Sequence, residues 1–295
     1  VEQQVGVSSF EKAQQIRSVF AREMNQNADR IAMVTSMKGI EENEQAGKLS
    51  ALLAVEGGEA CEGSIEKLYV LYEQGVRMMT LTWNYPNEIG YPNLPIGAAG
   101  FPYVPDTEHG LTAFGIECVK EMERMGMIID VSHLSDAGFY DVLRYTEKPF
   151  VASHSNARAI CPWVRNLTDD MIRKLAERGG VTGLNFCGDF LRDPFEGKIS
   201  AKERKAALQE KDTTGYQTMA GSEATFADIV RHARHIINVG GIECIGLGSD
   251  FDGIPDYPGR PKAERMEDLA EAFHDAGLTP DEIEHIFYRN VLHVY

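Results

Sequence analysis

Cysteine is scarce in this sequence of 295 residues, and long apolar runs are absent. The 5 cysteines are widely separated and no two form a Cys-x-x-Cys motif, so we predict buried free thiols rather than a disulfide framework. No apolar run approaches the ~18 residues that a membrane helix needs, and the longest, such as Ala51–Val55, have the length of a strand. The sequence therefore predicts neither a disulfide-stabilised scaffold nor a membrane-spanning chain.

The sequence also has few basic residues relative to acidic ones. There are 29 Lys and Arg residues against 45 Asp and Glu residues, which gives a formal net charge of −16. Nucleic-acid binding needs a basic stripe, and none is visible. No Gly-x-Gly-x-x-Gly motif follows a strand and no P-loop is present, which argues against nucleotide-binding folds. No targeting segment is visible at the start of the sequence, so the compartment stays open, and we favour a soluble cytoplasmic domain.

Short β-rich runs alternate with amphipathic helical patterns along the whole sequence. This alternation predicts one α/β domain over residues 1–295 with a parallel sheet, and both a closed barrel and an open sheet fit it. A capping box at Ser8 and another at Thr279 predict helix starts. Residues 84–110 are rich in Gly, Pro and Asn and predict a long loop, whereas residues 189–222 predict a polar, helical insertion. The predicted strands are Ala51–Val55, Met78–Thr82, Met127–Val131, Phe150–Ala152, Val181–Phe186 and Cys244–Gly248.

Four side chains suited to metal binding or proton transfer follow four of these strands. They are Glu56, His133, His154 and Asp250. In a (β/α)₈ barrel the carboxyl ends of the strands form the active-site face. Each residue alone is weak evidence, because a single His or acid at a strand end is often structural. Together, imidazole and carboxylate groups that converge on one point suit Zn²⁺ or a similar divalent ion.

The remaining candidates are less specific. Arg158 and Arg165 follow His154 in a loop on the same predicted face, where an arginine can bind a substrate carboxylate in a bidentate manner or can simply lie at the surface. His232 and His235 are three residues apart on a predicted helix, far from any strand end, and we expect them at the helix surface.

The motifs at the strand ends resemble those of the renal (membrane) dipeptidase family of zinc peptidases, in order and spacing, through essentially the whole chain. The resemblance implies a (β/α)₈ barrel of the metal-dependent amidohydrolase type with two Zn²⁺ ions. It assigns Glu56 as the carboxylate that bridges both metals, and His133 and His154 as the imidazoles of the second metal. Asp250 matches the acid that transfers protons, and Arg165 matches the arginine that binds the terminal carboxylate of the substrate. The motifs are Val55-Glu-Gly-Gly58, Leu81-Thr82, Ile129-Asp-Val-Ser-His133, Ser153-His-Ser155, Arg165-Asn166 and Gly248-Ser-Asp-Phe-Asp-Gly253.

The sequence departs from the family pattern in two respects. The family's first strand ends in His-x-Asp, which supplies ligands of the first metal, and this chain contains no His-x-Asp. The predicted strands end at six points, whereas a closed barrel of this type has about eight strands, so we expect that the first two strands are missing from the sequence. Trp83 stands where many family members have a substrate-binding histidine, and we expect it to contact the substrate.

The expected function is therefore a zinc-dependent dipeptidase that hydrolyses dipeptides with a hydroxide shared by the two metals. Two alternatives stay open from the sequence. One is a metal amidohydrolase that acts on another small carboxylate-bearing amide, such as an acylated amino acid or a β-lactam. The other is a non-catalytic scaffold that has lost the first metal site. A homodimer is a further expectation.

Overall fold

The computed structural model describes residues 6–94, 104–193, 224–254 and 256–295. The chain divides into two compact units. Unit 1 comprises residues 1–92 and 106–148 together with residue 295, and unit 2 comprises residues 93–105 and 149–294. The single domain proposed from the sequence stays a prediction.

Unit 1 is built from strands and helices in alternation. A 3₁₀ turn at Gly58–Cys61 follows its third strand. The helices and strands among its described residues are α1 Ser9–Gln26, β1 Ile31–Val34, α2 Met37–Gln45, β2 Leu49–Leu52, β3 Ala54–Glu56, α3 Ile65–Glu73, β4 Met78–Thr80, α4 Ala113–Met125, β5 Ile128–Asp130 and α5 Asp136–Tyr145.

Unit 2 begins with the same alternation and ends in helices. A π-helical turn at His285–Arg289 joins its last two helices, and 3₁₀ turns lie at Ile242–Cys244 and Ala263–Arg265. The helices and strands among its described residues are β6 Val151–Ala152, α6 Asp169–Glu177, β7 Val181–Leu184, α7 Gly188–Leu191, α8 Phe226–Gly240, β8 Ile245–Leu247, α9 Met266–Asp275, α10 Pro280–Glu284 and α11 Asn290–Val294.

Among the described residues, the strands within each unit pair in parallel. In unit 1, β1 pairs with β2, and β4 lies between β3 and β5. Glu56 is level with Thr80, and Thr80 is level with Asp130. In unit 2, β7 lies between β6 and β8. Because parallel strands place their carboxyl ends at one edge, each unit collects its strand-end residues there. The predicted parallel α/β architecture is confirmed, whereas closure into a barrel stays a prediction.

Helix starts follow the capping chemistry that the sequence predicts. The Ser8 hydroxyl accepts from the N–H of Glu11, and the Glu11 carboxylate accepts from the N–H of Ser8. Thr279 and Glu282 form the same reciprocal pair, with Pro280 in the first turn. Each capping box satisfies two N–H groups that have no partner within the helix. Both predicted caps are confirmed.

The helices cover the strands with apolar side chains. In unit 1, Leu68 of α3, Met122 of α4 and Met79 of β4 are fully buried. In unit 2, α6 packs on α8, and Ile172 and Ile236 of these helices are fully buried. Burying one such side chain contributes about 1.5–3 kcal/mol, so these residues stabilise the packing of each unit.

The structure corrects the count of strands. Ile31–Val34 forms a strand that the sequence pattern does not predict, and the run Ala51–Val55 is divided between β2 and β3. The missed strand is short, and only Val34 in it is buried, so it lacks the apolar pattern of a strand covered on both faces. The count of six strands was therefore too low, and the expectation that two strands are missing rested on that count.

The two irregular segments lie partly outside the described residues. Within residues 84–110, the described parts contain no helix and only an isolated bridge between Pro92 and Leu134. The predicted insertion at residues 189–222 is described only up to residue 193, which includes the end of α7. Across the part of the chain that the structure describes, no helix combines the length and the apolar character needed to cross a membrane.

Candidate active site

Glu56 and His133 meet at the strand-end edge of unit 1. Glu56 is the last residue of β3, and His133 follows β5 by three residues. The Oε1 atom of Glu56 lies 3.2 Å from Nε2 of His133. The histidine side chain is 9% exposed and the glutamate side chain is 48% exposed, so the pair opens toward solvent on the carboxylate side. The structure thus brings two of the predicted metal ligands together.

Asn84 determines which nitrogen of His133 carries a proton. The Nδ1 atom of His133 lies 2.9 Å from Oδ1 of Asn84. Because an amide oxygen only accepts hydrogen bonds, Nδ1 is the donor. In the neutral imidazole the Nε2 lone pair then points toward the Glu56 carboxylate. Two acceptors at this separation need a shared proton or a cation, and an imidazole whose other nitrogen is anchored is the usual form of a metal-binding histidine.

Trp83 lies beside this pair. Its ring centroid is 6.4 Å from that of His133 and 5.6 Å from that of Tyr85. The tryptophan follows β4, which lies between β3 and β5. The structure therefore places the predicted substrate-binding residue next to His133, while its contact with substrate stays a prediction.

Asp130 is a buried carboxylate that is not among the site residues predicted from the sequence. It ends β5 and is fully buried. The Thr80 hydroxyl donates to its Oδ2 at 2.5 Å, and the N–H of Ser132 donates to its Oδ1 at 3.0 Å. These bonds fix the turn from β5 to His133. A charged residue inside an otherwise apolar strand, Met127–Val131, is the signal that could have revealed it.

His154 occupies the corresponding edge of unit 2, two residues after β6. Its Nδ1 atom lies 2.7 Å from the hydroxyl of Ser153, and the residue is 9% exposed. When Nδ1–H donates to that hydroxyl, Nε2 keeps the lone pair that a metal requires. Both predicted histidine ligands therefore have a hydrogen-bond partner at Nδ1.

Asp250 is held by Asn185 at the same edge of unit 2. The amide Nδ2 of Asn185 donates to Oδ2 of Asp250 at 3.2 Å and to the backbone carbonyl of His154 at 3.4 Å. Asn185 is the first residue after β7, whereas the sequence predicts that this strand continues to Phe186. Phe186 is instead a fully buried core residue in contact with Phe251. A polar residue directly after an apolar run was the signal for Asn185.

Backbone strain marks two of the predicted residues. Within the described residues, three that are not glycine have a positive φ, and two of these are His133, at 70°, and Asp250, at 57°. For an L-residue this left-handed conformation costs about 1–2 kcal/mol. Strain of this kind tends to occur at functional sites, where the surrounding structure holds it.

Arg165 is buried in the loop between β6 and α6. Its exposure is 4%, and its guanidinium lies over the ring of Phe190 at 5.5 Å from the centroid. Arg158 instead donates to the backbone carbonyls of Asn166 and Val164 at 2.7 and 2.9 Å. Arg158 therefore stabilises, through these hydrogen bonds, the loop that contains Arg165. The role of Arg165 toward substrate stays a prediction.

The structure corrects the expectation for His232. This residue is fully buried, not at the helix surface. Its Nδ1 accepts from the N–H of Ala157 at 3.1 Å and its Nε2 contacts the carbonyl of Leu191 at 2.9 Å. Burial lowers its pKa to about 4, so it is neutral and serves as a structural link. Its neighbour His235 is partly exposed and pairs with Asp169 at 2.7 Å.

A family model described as membrane dipeptidase (peptidase family M19) matches residues 5–295 of the chain. A Klebsiella pneumoniae protein described as an uncharacterised protein in the pqqA 5′ region is 34% identical over 271 residues, which cover 91% of this chain and 89% of that protein. An uncharacterised dipeptidase of Schizosaccharomyces pombe is 36% identical over 251 residues. The match covers 84% of this chain and 53% of the yeast protein, so the chain spans about half of that relative's length.

Two solved structures share both fold and sequence with the chain. A metallopeptidase from Rhodobacter sphaeroides, liganded with a phosphinate mimic of the dipeptide L-Ala-D-Ala, is 29% identical with a TM-score of 0.79. The match covers 94% of this chain and 72% of that one. The dipeptidase AC, a metallopeptidase of family M19, is 28% identical with a TM-score of 0.81, and the match covers 98% of this chain and 78% of that one.

Proposed function

Because the chain belongs to the membrane dipeptidase family, peptidase family M19, we propose that it is a zinc-dependent dipeptidase that uses the residues described above. Membership makes the chain a metallopeptidase, which is a hydrolase of peptide bonds. The observation that carries the assignment of the site is the contact between Glu56 and His133, in which Asn84 directs Nε2 of the imidazole toward the carboxylate.

The residues proposed to bind zinc are Glu56, His133 and His154. A carboxylate and imidazoles are a donor set that zinc accepts, and neutral imidazoles with a partner at Nδ1 present Nε2 for binding. The resemblance implies two zinc ions in the active protein, and Glu56 would then be a ligand of both. The resemblance assigns the two histidines to the second metal, whereas the His-x-Asp that supplies the remaining ligands of the first metal does not occur in this sequence.

Bound zinc supplies Lewis acidity, which polarises a carbonyl group and favours the deprotonation of water near neutral pH. We assign the proton transfers to Asp250, whose carboxylate takes the proton of the attacking water and delivers it to the leaving amine. The Asn185 amide keeps this carboxylate oriented at 3.2 Å. General acid–base catalysis by one such group is typically worth about 10²–10⁴-fold in rate.

The proposed substrate is a dipeptide. The Rhodobacter relative was crystallised with a mimic of L-Ala-D-Ala, which is a dipeptide with a free carboxylate. We assign recognition of that carboxylate to Arg165, whose guanidinium can form two parallel charge-assisted bonds to it. Trp83 is proposed to line the substrate side of the site, because its ring is adjacent to His133.

The test compares His133→Ala and His154→Ala with His274→Ala, a surface control whose side chain is 68% exposed. We expect the first two variants to lose at least one zinc per chain, by elemental analysis, and to lose hydrolysis of L-Ala-D-Ala and L-Ala-L-Ala. His274→Ala should match the wild type in both measurements. Wild-type zinc content in both His133→Ala and His154→Ala would refute the assigned site.

A further inference from the structure

Asn185 has every hydrogen-bonding group of its side chain in use. Its two N–H bonds serve the Asp250 carboxylate at 3.2 Å and the His154 carbonyl at 3.4 Å, and its Oδ1 accepts from the N–H of Cys187 at 2.6 Å. The residue is fully buried. A buried amide with three partners has a single orientation that satisfies them all, so it is a fixed reference point rather than a mobile contact.

The backbone of Asn185 is held as firmly as its side chain. Its N–H donates to Oδ1 of Asn156 at 3.0 Å, and its carbonyl accepts from Nδ2 of Asn156 at 2.9 Å. Asn156 is itself fully buried, and its N–H donates to Oδ1 of Asn166 at 3.1 Å. Three buried asparagines therefore connect the end of β7 to the segment that follows β6. A fully satisfied network of this kind rigidifies its surroundings.

The Asp250 carboxylate must be held in one orientation to transfer protons. Asp250 has a backbone φ of 57°, and its carbonyl accepts from the N–H of Gly253 at 3.1 Å, so it lies in a tight, strained turn after β8. An aspartate side chain in a partly exposed turn can rotate about two bonds. Proton transfer requires its carboxylate at a defined place, and a misplacement of about 1 Å can reduce rates about 10²-fold.

We infer that Asn185 is a positioning residue that aims the Asp250 carboxylate relative to the His154 segment. It acts through Asp250 and does not itself touch the reacting atoms. This inference rests on the proposed function, because it takes Asp250 as the proton-transferring group. The bond to His154 runs through the backbone carbonyl, so loss of the amide should leave the imidazole in place.

The test uses Asn185→Ala with Asn290→Ala as a matched control. Asn290 is also buried in unit 2, and its Nδ2 donates to the carbonyls of Ile242 and Ile245 at 2.6 and 2.7 Å. Its Oδ1 lies 2.8 Å from Nδ1 of His285. The side-chain amide of Asn290 therefore has partners for its oxygen and its nitrogen, like that of Asn185. We expect Asn185→Ala to lower kcat about 10–100-fold with little change in KM, and Asn290→Ala to lose stability with an unchanged kcat. Zinc content should equal that of the wild type in both.

A double-mutant cycle with Asp250→Asn tests the route of the effect. If Asn185 acts through the carboxylate, Asn185→Ala should change kcat less than about 2-fold when Asp250 is already Asn. The variant Asn185→Asp keeps the acceptor for Cys187 and provides a second measurement if the alanine variant does not fold. It should lower kcat at least as much as alanine, because a carboxylate then faces Asp250.

Two results would overturn the inference while leaving the proposed function intact. One is a multiplicative effect in the cycle, with Asn185→Ala lowering the kcat of Asp250→Asn as strongly as that of the wild type. The other is an equal loss of kcat in Asn185→Ala and Asn290→Ala, which would make the effect one of stability. A near wild-type kcat in Asp250→Asn alone would instead overturn the proposed role of Asp250, through a separate measurement.

Discussion

At the scale of single residues, the candidate site is a set of side chains whose hydrogen bonds to neighbours determine what they can do. Asn84 sets the tautomer of His133, and Asn185 orients Asp250. The two partners are neutral amides, so they direct protons and lone pairs without adding charge. His133 and Asp250 also share a left-handed backbone, which the surrounding bonds must hold against its intrinsic strain.

Asp250→Asn should keep bound zinc and lose most turnover. The amide has nearly the shape of the carboxylate but cannot carry the proton, so we expect kcat to fall about 10²–10⁴-fold. Asp252→Asn is the matched control, because Asp252 is an exposed aspartate in the same turn. Steady-state kinetics and elemental analysis of both variants measure the difference. Equal activity of the two variants would contradict the assignment.

Asn84→Ala should weaken zinc binding while the fold is retained. Loss of the partner of a metal-binding histidine typically reduces metal affinity about 10–100-fold. Competition with a zinc chelator measures that affinity directly. Asn238→Ala, at an exposed position of α8, serves as the control and should bind zinc like the wild type. An unchanged affinity in Asn84→Ala would show that the contact with His133 does not prepare it for metal.

Arg165→Lys should impair recognition of the terminal carboxylate. Lysine keeps the charge but loses the bidentate geometry, and a charge-assisted hydrogen bond contributes about 1.5–3 kcal/mol. We therefore expect KM for a dipeptide to rise about 10–100-fold, which is the same free energy expressed as a ratio. The matched substrate is the dipeptide amide, which has no carboxylate. If Arg165 binds elsewhere on the substrate, the variant will affect both substrates equally.

At the scale of secondary-structure elements, glycines allow the strands of unit 2 to approach closely. A Cβ atom added at Gly183 of β7 or at Gly248, just after β8, would collide with the backbone carbonyl of Ser153. The N–H of Ser155 donates to the carbonyl of Gly183 at 2.9 Å, and the N–H of Gly248 donates to the carbonyl of Leu184 at 3.1 Å. Close backbone approach therefore sets the spacing between the segments that carry His154 and Asp250.

Gly248→Ala should destabilise the protein by about 3 kcal/mol, because backbone atoms must move to admit the methyl group. Gly39→Ala is the control. Gly39 lies in α2 with its nearest neighbouring atom 3.5 Å from the added Cβ, so alanine there should stabilise the helix by about 0.5–1 kcal/mol. Urea denaturation of the two variants compares their free energies of unfolding. Equal stability of both would mean that β8 can shift without penalty.

At the scale of the whole molecule, the protein combines an acidic charge balance with unreactive thiols. All 5 cysteines are free, and the buried ones are Cys61, Cys118, Cys161 and Cys244. Burial raises the pKa of Cys61, Cys161 and Cys244 to about 12, and it also raises the pKa of Cys118 well above its usual range. Thiols in this state are neither nucleophilic nor accessible at neutral pH.

We expect the four buried thiols to resist a thiol reagent such as dithionitrobenzoate at pH 8 until the protein unfolds. Cys187, which is partly exposed, should be the site of any slow reaction in the folded state. Cys187→Ser should abolish that slow phase. Rapid reaction of several thiols in the folded Cys187→Ser protein would contradict the burial of the other four cysteines.

The raised pKa values of these thiols predict how the free energy of unfolding depends on pH in the alkaline range. The folded pKa values lie above the unfolded ones, so the folded state retains protons that the unfolded state loses above about pH 9. This contribution to stability is complete below about pH 8.5 and declines as the pH rises toward 12. Urea denaturation at pH 8 and pH 10 should show the lower free energy of unfolding at pH 10. Replacement of Cys61 by Ala should reduce that difference.

The sequence by itself determined the parallel α/β architecture, the caps of the helices and the strand-end positions of Glu56, His133, His154 and Asp250. These features depend on local periodicity and on residues three or four positions apart, which can be read along the chain. The resemblance to the dipeptidase family rests on the same strand ends, and the family match confirms it.

The tertiary structure decided which side chains form hydrogen bonds with those residues and orient them. Asn84 is 49 positions from His133 and Asn185 is 65 positions from Asp250, so no local pattern links them. The burial of His232 likewise depends on distant segments, because its ring contacts Ala157 and Leu191, which are 75 and 41 positions away. Local sequence specifies which element a residue belongs to, whereas the partner of a buried polar group depends on which segments the fold places side by side.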